Sequence, residues 1–220
     1  MATRKAAVDV PALIDALPTP LAGLARQGLV RAYRTGTLLM QEGDMGDTLH
    51  IVLAGRVRAF TLDEGGEREL TFGSYGPGEY VGELSLDQGP RSASVVATET
   101  TTCAVVTRRT LRQAIAADPD LAFMIIEKLA RRARAATFTA RQLALNDVYG
   151  RLRDLFEALG QTGEGGQRRV DERLTQRDLA GRIGCSREMV SRVMKDLHAG
   201  GYVDRVSPPL RLLRPWPMRW

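Results

Sequence analysis

LTQRDLAGRIGCSREMVSRVMKDL, residues 174–197, carries two runs of helical apolar spacing separated by a single glycine. In the first run Leu179, Ala180 and Ile183 share one face of a 3.6-residue helix, and Thr175 stands before them as an N-cap. In the second, Val190, Val193, Met194 and Leu197 form the inner face, and Ser186 is placed to cap the helix start. Gly184 supplies the sharp turn between them, since glycine accepts positive φ at no steric cost. With the apolar positions turned inward, Arg187, Glu188, Ser191, Arg192 and Lys195 face out. The pattern is that of a helix-turn-helix.

Two helices joined in this way present the N-terminal residues of the second to the DNA major groove. An arginine there donates two hydrogen bonds to guanine O6 and N7, and a glutamate accepts from cytosine N4, each pairing discriminating by roughly 1–3 kcal/mol. Thr175, at the start of the first helix, is placed to touch a phosphate as well as to cap. Charge agrees with this placement. Residues 147–220 hold 14 basic and 10 acidic side chains, a surplus of four, whereas residues 1–117 hold 12 and 13, a net of −1. The basicity of the chain, +5 overall, therefore belongs mostly to its end, as a nucleic-acid partner requires.

Upstream, from about residue 30 to 107, short β-type runs alternate with glycine: TLLMQEGD, TLHIVLAGRVRAFTL, ELTFGSYGPGEYVGEL and SASVVATETTTCAVV. Strands punctuated at this interval indicate an all-β sandwich or barrel rather than βαβ units. Asp118-Pro119 then reads as a helix start, with Asp as N-cap and Pro as the first helical residue. Ala122, Ile126, Leu129, Ala133, Ala136, Ala140 and Leu143 follow in alternating steps of four and three, a heptad seam along some 27 residues, roughly 40 Å of helix. Its alanines permit two helix axes to approach closely, which predicts a parallel dimer contact. Beyond residue 146, DVYGRLRDLFEAL reads as an amphipathic helix, GQTGEGGQRR as a flexible loop, and VSPPLRLLRPWPMRW as a short hairpin with an extended end.

A second constellation lies in GELSLDQGPRSASV. Arg91 offers a planar fork matched to phosphate oxygens, Ser92 a hydroxyl donor, and the intervening turn a nest of backbone N–H groups. The Glu83 carboxylate is a poor phosphate partner but a good acceptor for a ribose 2′-hydroxyl. Together these groups describe a small, singly charged sugar phosphate.

The run Ile183-Gly184-Cys185-Ser186-Arg187-Glu188, followed by Val190, Arg192 and Lys195, closely resembles the recognition element of bacterial cyclic-AMP receptor proteins, whose family includes the fumarate-nitrate reductase regulator. Gly82-Glu83-Leu84 followed by Arg91-Ser92-Ala93 is similar to the phosphate-binding cassette of cyclic-nucleotide domains. The resemblance spans residues 30 to 205 and implies an α+β fold. Its parts are an N-terminal double-stranded β-helix (jelly-roll) that binds a cyclic nucleotide (1–117), a long dimerisation helix (118–146) and a C-terminal winged helix-turn-helix (147–220). It further implies that Arg91 and Ser92 bind the cyclic phosphate, that Glu83 holds the ribose hydroxyl and that Gly82 and Ala93 give backbone contacts. Leu84, Arg132, Ala136 and Thr137 complete the ligand set. Arg187, Glu188 and Arg192 are expected to read base edges of a TGTGA-type half-site repeated as a palindrome, with Thr175, Gln176, Ser186, Ser191 and Lys195 beside them. Where the cyclic-AMP receptor has a Thr-Ser pair for adenine, this sequence has Ala136-Thr137. The expected ligand is cyclic AMP, with cyclic GMP, cyclic di-GMP or ligand-independent DNA binding as the alternatives.

The expected protein is a cytoplasmic homodimer that contacts RNA polymerase and is not an enzyme. A metal-dependent cupin-like roll needs clustered ligands, and the only histidines are His50 and His198. Cys103 and Cys185 cannot hold an iron-sulfur cluster, which takes four thiolates, and His50 alone makes a poor haem site. Both cysteines are expected as small buried fillers. No metal and no membrane partner is expected, since no stretch has the roughly 20 consecutive apolar residues of a spanning helix.

Overall fold

The computed structural model describes residues 9–162, 168–204 and 210–217, with backbone alone at Ser85 and Leu86. Two compact units divide the chain. One runs to Thr61 and includes Phe72–Arg132; the other takes Leu62–Thr71 and the chain from Ala133 onward.

The first unit opens with two short helices, α1 (Val10–Asp15) and α2 (Thr19–Ala25), each with proline in its first turn. The strands that follow are β1 (Leu29–Tyr33), β2 (Leu38–Met40), β3 (Thr48–Ala54), β4 (Val57–Leu62), β5 (Glu69–Tyr75), β6 (Tyr80–Val81), β7 (Ser94–Ala97) and β8 (Thr101–Thr107). A 3-10 turn, Glu83–Asp87, separates β6 from β7. The strands make two four-stranded sheets, ordered β1-β8-β3-β6 and β2-β7-β4-β5. This is the expected β-roll.

Strand β3 shows why the sheets stay together. Its five central residues are all buried, so it is covered on both faces. Val52 points to a core between the sheets with Met40, Val57, Val81, Val95 and Cys103. Leu49, Ile51 and Leu53 point the other way, into a second core with Leu21, Leu24, Leu111, Leu121 and Ile125. Full burial of such side chains contributes about 1.5–3 kcal/mol each. The helices on that outer face are α1, α2, α3 (Arg108–Ala117) and the start of α4 (Asp120–Leu145). The sequence reading had none of the first three. α1 and α2 have only six and seven residues, too short for periodicity to show, and all three are held by packing on the sheet.

Helix α4 has 26 residues, and Asp118 caps it as expected by accepting a hydrogen bond from the Asp120 N–H at 3.1 Å. Of the predicted seam, Ile126, Ala133, Ala136, Ala140 and Leu143 are exposed and Ala122 is half-buried. Leu129 packs against the core of the first unit, and Leu143 Cδ2 lies only 2.9 Å from where a Cβ on Gly184 would stand. Phe123, beside that seam, is 67% exposed and Ile126 58%. A straight helix drifts against a seven-residue repeat, so residues equivalent in a heptad pattern need not share an environment.

In the second unit α5 (Val148–Leu159), α6 (Gln176–Ile183) and α7 (Arg187–Ala199) surround a separate core. Tyr149, Leu152 and Phe156 of α5 meet Leu179, Ala180 and Ile183 of α6 and Val190, Val193 and Leu197 of α7. Trp216 closes this core, stacked on Tyr149 at 6.1 Å and edge-on to Phe156 at 5.2 Å. The segment read as a flexible loop is a hairpin at its ends, β9 (Gln161–Thr162) pairing with β10 (Arg168–Val170); residues 163–167 lie outside the described residues. Of the tail, β11 (Leu210–Leu212) pairs with β10, and Leu212 also bridges Val203; the turn of the hairpin expected there falls outside the described residues. Residues 205–209 and 218–220 lie outside the described residues. Cys103 is buried and its thiol is pushed up to about 12 by that burial, as a filler should be, whereas Cys185 is only half-buried at the edge of the helical core. Among the described residues, no helix is long and apolar enough to cross a membrane.

Candidate ligand cassette and nucleic-acid interface

The cassette is built around one buried guanidinium. Arg91 is 6% exposed, and its Nη1 donates to the Gly82 carbonyl at 3.1 Å while Nη2 donates to Thr48 Oγ1 at 3.0 Å. Two glycines make room for it. A Cβ on Gly46 would lie 2.6 Å from Arg91 Nε, and one on Gly82 would lie 2.7 Å from Nη1 and 2.6 Å from the Thr48 carbonyl oxygen. Gly82 also has φ +93, a left-handed conformation that other residues adopt only with strain. Burial lowers the Arg91 pKa, and Asp47 and Glu83 oppose that shift. The side chain stays charged, so the fold holds a desolvated cation with directed donors, as an anion site needs.

Glu83, 3% exposed at the start of the 3-10 turn, is ion-paired to Arg132 of α4. Arg132 in turn donates from Nη2 to the Tyr80 carbonyl at 2.5 Å, and its guanidinium carbon sits 4.5 Å from the Tyr75 ring centre and 5.7 Å from that of Tyr80. Lys128, one turn earlier, pairs with Glu79 at 2.5 Å. Tyr80 is buried, and its phenol is pushed up to about 12 by that burial. Of the other predicted ligand residues, Leu84 is 53% exposed, Ser92 is exposed, and Ala93 is half-buried against the inter-sheet core. Ala136 and Thr137 follow Arg132 by one turn on α4, both exposed, and the Thr137 hydroxyl donates to the Ala133 carbonyl at 3.0 Å. The compact units divide between Arg132 and Ala133.

In the second unit the helix-turn-helix forms with its local chemistry as read. Thr175 and Asp178 make a reciprocal capping box at the start of α6. Gly184 ends that helix in the left-handed region at φ +66, and Ser186 caps α7 by accepting from the Met189 N–H at 3.3 Å. Arg187 and Glu188 occupy the exposed first turn of α7, with Arg192 and Lys195 exposed further along; Ser191 and Gln176 are half-buried. Three other arginines of this unit are paired: Arg168 with Glu157, Arg169 with Asp171, Arg182 with Glu172. Arg187, Arg192 and Lys195 make no ion pair among the described residues. Three uncommitted cations therefore line one helix face, the arrangement that attracts phosphate and reads guanine.

Residues 30–118 match the model of the cyclic nucleotide-binding domain, and residues 150–215 match that of the Crp-like helix-turn-helix domain. The chain belongs to the CRP/FNR family of transcription regulators. It is 33% identical over 191 residues, 84% of each chain, to the CRP-like cAMP-activated global transcriptional regulator of Mycobacterium tuberculosis. It is 36% identical over 179 residues to the cyclic AMP receptor protein of Thermus thermophilus, covering 81% of this chain and 80% of that one. Among solved structures, the c-di-GMP responsive regulator CLP of Xanthomonas campestris superposes with a TM-score of 0.78 at 26% identity, covering 89% of this chain and 99% of that one. CRP-like proteins are regulators and not enzymes, and among the described residues no group of His, Cys, Asp and Glu is arranged to hold a metal ion.

Sequence reasoning about this CRP/FNR chain missed Thr48, Tyr75 and Tyr80, which shape the cassette. The tyrosines lie in the quoted run ELTFGSYGPGEYVGEL, close before Glu83, and could have been flagged as aromatic walls. Thr48 is 43 residues from Arg91 and carries no local signal. The same holds for His50 on β3. Only 6% exposed, it has its pKa lowered to about 4, first by burial and then by Arg91 and Arg31. Between about pH 4 and 6.5 the unfolded chain binds a proton here that the folded chain does not, so stability falls as pH falls through that window. The loss from pH 6.5 to pH 5 is about 2 kcal/mol. Denaturant melts at both pH values should show it, and His50→Leu should flatten the slope by that amount; an unchanged slope excludes His50 as its source.

Proposed function

We propose that this regulator is a cytoplasmic homodimer whose N-terminal unit binds cyclic AMP and whose α7 helices read a palindromic TGTGA-type operator. One observation carries the reading: a buried, directed Arg91–Glu83 cassette and an exposed, unpaired Arg187–Arg192–Lys195 face occur in one chain. A ligand sensor and a DNA reader are thereby linked by α4. Functionally, residues 1–117 are the sensor, 118–146 the dimerisation helix and 147–220 the DNA-binding domain, with Thr175, Gln176, Ser186 and Ser191 flanking the readers. Exposed Phe123 and Ile126 begin the stripe on which two copies of α4 pair. A nucleotide shifts the equilibrium between dimer arrangements only as far as it binds one of them more tightly. RNA polymerase is the partner that converts operator binding into transcriptional output.

A second reading concerns the base. Ala136 removes one of the hydroxyls that the resemblance assigns to adenine, and the similar CLP structure belongs to a regulator that responds to cyclic di-GMP. Mobility-shift titrations on a duplex with two half-sites one helical turn apart, on a single half-site and on a scrambled duplex separate the readings. Cyclic AMP is expected to strengthen binding to the palindrome alone. Cyclic di-GMP acting instead supports the second reading, and equal affinity for the scrambled duplex overturns both.

A further inference from the structure

We propose that His50 couples nucleotide binding to proton uptake: a phosphodiester arriving on Arg91 draws a proton from solvent onto the buried imidazole, so the regulator holds its nucleotide more tightly as pH falls. The inference rests on the cyclic-nucleotide reading of the cassette and concerns how that site is regulated.

Strand register places the ring beside the anion seat. Side chains two apart on a strand share a face, so His50 lies on the same side of β3 as Thr48, whose hydroxyl accepts from Arg91 Nη2 at 3.0 Å. Across the sheet His50 pairs with Val81 of β6, and the next residue, Gly82, accepts from Arg91 Nη1 at 3.1 Å through its carbonyl. Both hydrogen bonds that seat the guanidinium therefore come from near neighbours of His50. The side chain is buried, and its Nδ1 has no hydrogen-bond partner among the described residues. Buried polar groups are rarely left unpaired, and those that are require an explanation.

The surroundings hold the imidazole neutral. β1 contributes the Tyr33 ring, 6.1 Å away, and Arg31; β8 contributes Val105 opposite His50 and Cys103 two residues before it. Burial pushes the Tyr33 phenol and the Cys103 thiol up, so neither supplies a negative charge near neutral pH. Asp47 and Glu83 act on Arg91, whereas the two charges that act on His50 are Arg91 and Arg31, both positive. Together with burial they bring its pKa down to about 4. An imidazole so placed takes up a proton once an anion joins it. A phosphodiester on Arg91 is that anion, and its single charge offsets the repulsion from the guanidinium. The complex then binds more protons than the free protein below about pH 6.5, so affinity rises as pH falls through that range.

Calorimetric titration of the full-length wild-type protein, His50→Gln and His50→Leu with cyclic AMP and cyclic di-GMP, at about pH 7 and about pH 5 in two buffers of different ionisation enthalpy, tests this. Wild type is expected to bind roughly two- to fourfold more tightly at the lower pH, with proton uptake read from the buffer dependence of the heat. In His50→Gln, neutral at both pH values, that ratio is expected to fall to about one and the uptake to vanish. His50→Leu carries the test should His50→Gln fold poorly, and a thermal melt at each pH reports the fold. A ratio and an uptake that persist in the variants belong to another group and overturn the proposal, as does a wild-type affinity that is the same at both pH values. Wild type binding neither cyclic nucleotide overturns the cyclic-nucleotide reading itself, and this inference with it.

Discussion

Replacing Arg91 with leucine should weaken cyclic-nucleotide binding by about 100-fold or more, since a hydrogen bond to a charged group is worth roughly 1.5–3 kcal/mol and the guanidinium fork offers at least two. Arg91 is the buried cation of the cassette, given room by Gly46 and Gly82. Some stability should be lost too, because the Gly82 carbonyl and Thr48 Oγ1 lose their donor. That penalty, about 1–3 kcal/mol, is partly offset by removal of a desolvated charge, so the β-roll still folds. Calorimetry reports the affinity and a thermal melt the fold. Nucleotide-stimulated operator binding should disappear with the affinity. An Arg91→Leu protein that binds nucleotide as wild type does removes the cassette from consideration as the ligand site.

The second large effect lies at the other end of the chain. Arg187→Ala should lower affinity for the intact operator by roughly 5- to 150-fold, the equivalent of 1–3 kcal/mol for a lost bidentate guanine contact. The loss should be selective: duplexes already substituted at the guanine that Arg187 reads should bind wild type and variant alike. Arg169→Ala is the contrast. Its side chain is about half exposed on β10 and paired with Asp171 at 2.9 Å, so as a phosphate contact it should weaken all sequences alike and reduce the salt dependence by about one counterion. A mobility-shift series over base-substituted operators and several salt concentrations distinguishes them. Uniform weakening by Arg187→Ala places that side chain on the backbone instead of on a base.

The helix-turn-helix was legible in detail because its determinants are local. Thr175 and Asp178, Gly184, and Ser186 with Met189 act across two to four residues, and the burial of Val190, Val193 and Leu197 follows from helical period alone. The β-roll was legible as a class through its glycines and short strands. Its covering helices α1, α2 and α3 were not, since a short amphipathic segment becomes a helix only when a sheet face is there to bury it. The α4 stripe shows the same limit. Seven apolar positions in a heptad pattern gave the helix and its length, but whether Leu129 and Leu143 face a partner or their own unit depends on what packs beside them.

By itself, then, the sequence determined the order of the parts and the chemistry each can perform: a phosphate-matching Arg91 and Ser92, a hydroxyl-accepting Glu83, and a base-reading Arg187, Glu188 and Arg192. Only the tertiary structure decided which of these groups are desolvated and what they touch. It brought Arg132 across 49 residues of chain to Glu83, closed Thr48 and two glycines around Arg91, and left Arg187, Arg192 and Lys195 without an ion pair among the described residues. Side-chain type and spacing are local properties of the chain, whereas burial and charge pairing depend on contacts between residues far apart in sequence, and those exist only once the two sheets and their helices have closed on one another.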